Sequence, residues 1–182
     1  MTPTLRTERL LLEPYRPEDE EDFVALFQDT RVSRWMGDGT SSEAEDRALF
    51  GRIFTKVYAG ELFDVWAVRR GGLLVGHAEI KPTDAVGGHE IIYALAPVAW
   101  GSGLGAELAA AVVAHGFGTL GLSEVHATVA APNTASLALL RKLGFEHVRD
   151  IEEHDGSTTH VLTRRVTATV ESSPARIARI AR

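Results

Sequence analysis

Trp100-Gly101-Ser102-Gly103-Leu104-Gly105-Ala106 lies where the periodicity of the chain changes, and its reading decides the fold. Upstream, His89-Glu-Ile-Ile-Tyr-Ala-Leu95 is a strand-like run closed by Pro97; downstream, residues 104–119 are alanine-rich and helical in character. Three glycines in five positions let the backbone turn tightly and point N–H groups outward. The helix that follows adds its unpaired N-terminal amides and positive dipole end. Such a junction either binds an anion, most naturally phosphate, or simply packs the helix on the strand. No lysine follows the glycines, as a nucleotide P-loop requires. The third glycine arrives one residue too early for a dinucleotide fingerprint, which also usually opens its domain.

Outward from this junction the chain reads as strands, hairpins and a strand–helix–strand–helix unit. Thr4 to Glu13 predicts one strand ended by Pro14 and Pro17, and the acidic run Glu18 to Asp22 predicts a solvated helix start. Ser41 or Ser42 is positioned to cap a helix running to Gly60. Leu62–Val68 and Leu73–Ile80 alternate about the turn Arg69-Arg-Gly-Gly72, predicting a hairpin. Val125–Ala130 is a short apolar strand. Asn133–Lys142 is a helix with Gly144 at its expected stop, and strands follow at 145–153 and 158–166. The expectation is an α+β fold with a mixed sheet covered by helices.

Composition narrows the function classes. The 182 residues carry a formal charge of −6, yet residues 164–182 hold five arginines against Glu171 alone, a local +4 that leaves −10 on the rest. An acidic body disfavours nucleic acid, whose affinity comes largely from Lys and Arg on phosphates, and suits an amine-bearing substrate. Cysteine is absent, which removes disulfides, thiolate nucleophiles and Cys-ligated metals. His77, His115, His147 and His160 have no metal-ligand spacing, so no metal is expected. No run approaches the ~20 apolar residues of a membrane span, and Glu8, Arg9 and Glu13 interrupt any leader-like stretch. The expected address is cytoplasmic.

Four segments, in order, resemble the GNAT superfamily of acetyl-CoA-dependent N-acetyltransferases. They are Leu5-Arg-Thr-Glu-Arg-Leu-Leu-Leu12, Glu90-Ile-Ile-Tyr93 before the glycine loop, the loop Trp100–Ala106, and Asn133-Thr-Ala-Ser136 followed by Lys142-Leu-Gly-Phe145. The first is similar to the branch holding the ribosomal-protein N-terminal acetyltransferases. The resemblance covers about residues 4–166 and implies one GNAT domain over 1–166, with 167–182 as a basic tail that docks or is disordered. It implies a mostly antiparallel sheet of about six to seven strands, splayed at the cofactor site and flanked by about four helices. Superfamily members are often dimers, so a homodimer is an open expectation.

The resemblance also assigns the site. Coenzyme A's pyrophosphate would sit on Trp100, Gly101, Ser102, Gly103, Leu104, Gly105 and Ala106, and its pantetheine would pair with backbone near Tyr93 and Leu95. Asn133 would reach the pantetheine while capping its helix, and Ser136 would stabilise the leaving thiolate. Trp100 replaces the Gln or Arg of the superfamily pattern. Leu140 stands where many members carry a tyrosine acid, so that role is left unassigned. The base is Glu90, which matches the acidic position; or His89, whose ordinary pKa suits the task; or a water chain. Strand alternation puts Glu90 and His89 on opposite faces unless Gly87-Gly88 bulges. His126 and Thr128 could line the same cleft. Trp35, Met36 and Phe50 are candidates for the acceptor pocket, though core positions fit them better. The implied reaction is direct attack of a primary amine, on a protein N-terminus or a small molecule, on the bound thioester. The second reading is a non-catalytic acyl-CoA-binding module.

Overall fold

The computed structural model describes residues 1–37 and 39–166; the tail expected over 167–182 lies outside the described residues. The strands are β1 (Leu5–Arg6), β2 (Leu11–Glu13), β3 (Asp64–Arg70), β4 (Leu73–Thr83), β5 (Gly88–Leu95), β6 (Glu124–Ala130), β7 (Glu146–Glu152) and β8 (Thr158–Arg165). They form one sheet in the order β1-β2-β3-β4-β5-β6-β8-β7. Every neighbouring pair is antiparallel except β5–β6, which is parallel and meets at one register pair, Glu90 opposite His126.

The helices are α1 (Glu20–Gln28), the single turn α2 (Thr30–Ser33), α3 (Glu43–Arg52), α4 (Leu104–Gly118) and α5 (Thr134–Lys142). Leu104, Leu108, Val112 and Val113 of α4 join Leu137 and Leu140 of α5 and one face of the sheet in the larger core. Phe23 and Phe27 of α1 pack with Phe50 of α3 against the other face. Removing this apolar surface from water is the main term holding the layers together. No helix among the described residues is long and apolar enough to cross a membrane.

The local signals act as their chemistry requires. The Ser42 hydroxyl accepts from the Glu45 amide while Glu45 reaches back to the Ser42 amide, a reciprocal cap. Asn133 caps α5 by accepting from the Ser136 amide. Gly144, at φ +81°, ends α5 with bonds from Gly144 N to Arg141 O and from Phe145 N to Leu140 O.

The structure departs from expectation at three places. The segment read as one strand is a tiny hairpin: Thr7 N donates to Leu10 O and the Thr7 hydroxyl accepts from Leu10 N, folding β1 back on β2. Among the described residues this takes the sheet to eight strands, and the one-turn α2 takes the α-helices to five. The helix expected from 41 to 60 widens after α3 into a π-helical stretch, Ile53–Tyr58. There the Tyr58 hydroxyl accepts from Tyr15 N and donates to Val65 O, tying the helix to the sheet. The acidic run is not wholly solvated either. Asp19 is buried and takes Arg69 Nη2 on both oxygens at 2.7 Å, while Arg69 Nε donates to Glu13 at 2.6 Å. An isolated buried cation would be expensive; two carboxylates make it tolerable.

Arg69→Met should therefore leave the buried Asp19 carboxylate with only the Arg16 amide, and Glu13 with only the exposed Arg16 guanidinium, and cost about 3–5 kcal/mol. Thermal unfolding followed by circular dichroism should show the melting temperature down by roughly 10 °C.

Candidate active site

The parity of β5 organises the site. Ala96 N donates to Val75 O, which makes 75/96 a bonded rung. By alternation 77/94, 79/92 and 81/90 are bonded too, whereas 78/93 and 76/95 are not. The peptide groups of Tyr93 and Leu95 consequently point away from β4, towards β6. Because β6 diverges after the Glu90–His126 pair, these groups face a gap. The Leu95 carbonyl accepts the Trp100 indole N–H at 2.7 Å, leaving Tyr93 N–H and C=O and Leu95 N–H for a ligand. An extended amide-bearing chain, such as pantetheine, fits that row of donors and acceptors.

The gap opens onto the glycine loop. Gly101 and Gly103 adopt φ of +73° and +80°, which side-chain-bearing residues rarely take, and Gly103 is the N-cap of α4. A Cβ on Gly105 would lie 3.0 Å from Leu139, so this glycine lets α4 and α5 approach. Leu104 is fully buried and anchors the loop from below, so it and Ala106 offer a ligand chiefly backbone. The loop is also held by a residue that sequence reading did not single out. Arg9 Nη1 donates to Ser102 O at 2.8 Å, and Arg9 Nε donates to Glu107 at 2.7 Å. Glu107 also accepts from the Thr7 hydroxyl and the Arg9 amide. Partial burial pushes its carboxyl up, but these bonds and the Arg9 charge hold it below the usual carboxylate range. Arg9 thus sets a guanidinium beside the amides of the glycine loop.

Two clusters flank the gap on opposite faces of the sheet. On the face covered by α4 and α5, the Tyr93 hydroxyl lies 2.8 Å from Ser136 Oγ. Burial raises the Tyr93 pKa, with the Ser136 bond opposing, so the phenol stays protonated at neutral pH. Leu140, where the superfamily often has tyrosine, is fully buried in the core. On the other face, Glu90 is buried and accepts from the Thr128 hydroxyl at 3.1 Å. His126, also on this face, bonds through Nδ1 to Thr163 Oγ1 at 2.8 Å. A Cβ on Gly88 would meet His126 Nε2 at 2.8 Å, which accounts for glycine there. The β4–β5 register shows no shift, so Gly87-Gly88 does not change the strand parity.

The structure does not bring His89 together with Glu90 and Ser136. His89 lines a separate cavity of about 660 Å³ with Asp64, His115 and Tyr58, beside the C-terminal end of α4. Phe50 is core; Trp35 is half-buried, with Arg34 over its ring at 4.7 Å.

Sequence reading missed a chain of groups beside Glu90. His77, Glu79 and Lys81 alternate along β4 on the Glu90 face. Tyr15 OH lies 3.0 Å from His77 Nδ1, His77 Nε2 3.0 Å from Glu79 Oε1, and Lys81 Nζ 3.1 Å from Glu79 Oε2. Burial pushes the Glu79 carboxyl up, but the bond from His77 and the charges of His77 and Lys81 outweigh it and hold the pKa at about 2. The i, i+2, i+4 spacing of these residues was the available signal, and the same parity argument that separates Glu90 from His89 would have found it.

A mixed sheet splayed at one parallel pair, with a glycine-capped helix at the mouth of the splay, is the arrangement that the sequence resemblance implies. The comparisons agree. Residues 9–146 match the acetyltransferase (GNAT) domain. The uncharacterized N-acetyltransferase YoaA of Bacillus subtilis is 31% identical over 152 residues, 80% of this chain and 84% of YoaA. A GNAT-family acetyltransferase from Bacillus anthracis superposes with a TM-score of 0.77 at 20% identity, covering 90% of this chain and 98% of that one. The ribosomal L7/L12 α-N-protein acetyltransferase RimL, solved with coenzyme A, superposes with a TM-score of 0.75 at 14% identity, over 90% and 98% of the two chains. The chain belongs to the GNAT family of acetyl-CoA-dependent N-acetyltransferases.

Gly103→Val forces a branched side chain into the left-handed region at a cost of about 1–2 kcal/mol. Calorimetric titration with coenzyme A should show binding about tenfold weaker or worse, with the fold intact; unchanged affinity would remove the loop from the cofactor site. Glu79 supplies a second check. Its folded pKa of about 2 lies below the ordinary 4.5, so its stabilisation is present above pH 4.5 and lost as pH falls towards 2. The melting-temperature deficit of Glu79→Gln should be full at pH 7 and shrink steadily between those two values.

Proposed function

We propose that the protein acetylates a primary amine by direct attack within a ternary complex, with Glu90 as the base and the Tyr93–Ser136 pair serving the leaving group. The observation that carries this reading is the disposition of two polar clusters on opposite faces of one splayed gap, a carboxylate towards one mouth and a phenol–hydroxyl pair towards the other. Acetyl-CoA supplies the activated thioester. The chain's own groups do the rest. Tyr93 and Leu95 main-chain groups align the donor, the amides of residues 101–106 with Arg9 hold its phosphates, and Asn133 fixes the start of α5.

An amine reacts only when neutral. Glu90, positioned by the Thr128 hydroxyl, accepts the ammonium proton directly or through one water. Ser136 and Tyr93 share one hydrogen bond at 2.8 Å, so a proton given up by Ser136 is replaced from the Tyr93 hydroxyl. This assigns to Tyr93 the acid role that Leu140 cannot fill. RimL acts on a protein α-amine by its name, and a peptide N-terminus is accordingly the first acceptor class to try, ahead of free amino acids and polyamines.

Free thiol release from acetyl-CoA, followed against peptides, amino acids and polyamines, tests the reading. At least one amine should support turnover, and silence across all three classes would sink it. With an active acceptor, Glu90→Gln should lower kcat by about 10²–10⁴-fold while leaving coenzyme A affinity unchanged. Tyr93→Phe should lower kcat more than KM.

A further inference from the structure

His147, Asp150 and His160 stand together on the β7–β8 hairpin, away from both clusters at the gap. Asp150 Oδ1 lies 2.6 Å from His147 Nε2 and 2.6 Å from His160 Nδ1. The three ligand-type atoms all fall within 4.8 Å of one another. The imidazole rings are perpendicular, at 88° with centroids 5.1 Å apart, so they do not stack, and one nitrogen of each is directed at Asp150 Oδ1.

This convergence depends on a register fault. In a regular strand, His147 and Asp150 are three apart and face opposite ways. Here His147 pairs with Leu162, Arg149 with Val161 and Asp150 with His160. Val148 is the extra residue of a bulge, and it turns His147 onto the face of Asp150 and His160. The sequence spacing hides the cluster; the bulge assembles it.

We infer that these three residues form a binding site for a divalent first-row transition-metal ion such as Zn²⁺. Two imidazoles and one carboxylate are the donor set such ions prefer over Mg²⁺ or Ca²⁺, which take oxygen. A tetrahedral ion with bonds of ~2.0–2.1 Å needs donors about 3.4 Å apart. The two 2.6 Å contacts need open by less than about 1 Å. His147 and Asp150 are 47% and 45% exposed in their side chains, which leaves them room to move that far. The ion would clip the edge strand β7 to β8. It would also fix the bulge from which Arg149, on the opposite face, donates to the Ala85 carbonyl in the β4–β5 loop.

The test uses the full chain without a polyhistidine tag. Titration with Zn²⁺ by calorimetry, and with Co²⁺ by its visible absorption, should give one saturable site per chain. Asp150→Asn and His160→Ala should each weaken binding by on the order of 100-fold. His154→Ala, an exposed histidine outside the cluster, should leave it unchanged. His147→Ala supplies the same reading should either variant lose its far-ultraviolet spectrum. Absence of saturable uptake, or uptake that survives the cluster substitutions, overturns the site.

Discussion

A β-strand has two edges and two faces, and a residue's place in the alternation fixes which of them its peptide and side chain serve. β5 uses all four. One edge is bonded to β4, and the other is left open by the departure of β6. One face carries Glu90, and the other carries Tyr93. Everything else at the site follows from this division. The glycine loop must begin where the open edge ends, and α5 must start where it can set Ser136 over Tyr93. The segment bearing His77 and Glu79 must be the bonded neighbour. A one-residue slip of β5 would exchange Glu90 for His89 and turn the peptide groups of Tyr93 and Leu95 towards β4, so the β4–β5 register is under functional as well as packing constraint.

The N-terminal segment stabilises this arrangement from two directions, and the magnitudes assign the two contacts different purposes. Asp19 and Arg69 are buried, with side chains 8% and 10% exposed, so breaking that pair exposes an uncompensated charge to a poor solvent. The Arg9–Glu107 contact is more open, at 38% and 16%, where screening leaves such pairs worth about 1 kcal/mol or less. Its value is positional. By gripping Ser102 and Glu107 together, Arg9 keeps the loop and the first turn of α4 in one geometry.

Local chemistry was legible in the sequence, and contacts between distant segments were not. Ser42, Asn133 and Gly144 announce helix ends because caps are satisfied within a few residues. The glycine loop announces itself because three glycines have few other uses between a strand and a helix. Alternation alone separates Glu90 from His89. By contrast, the Tyr93–Ser136 bond spans 43 residues and Arg69–Asp19 spans 50, and no local pattern encodes either. The bulge at Val148 is harder still, since it leaves the residue types unchanged and reverses only their facing. The hairpin at Thr7 was missed for a related reason: its hydroxyl does a turn's work in a stretch whose apolar residues read as one strand.

Trp100 has one more consequence. The chain has three tryptophans. Trp66 is wholly enclosed in the core with its N–H on Pro3 O, and Trp35 sits far from the glycine loop in sequence, beside Arg34. Trp100 is 46% exposed, yet its indole nitrogen is fixed on the last carbonyl of β5 at the mouth of the gap. A ring held in place but half in water has an emission colour set by what stands next to it. The residue that departs from the superfamily pattern thus gives the protein a built-in optical readout of its own glycine loop, with no label attached.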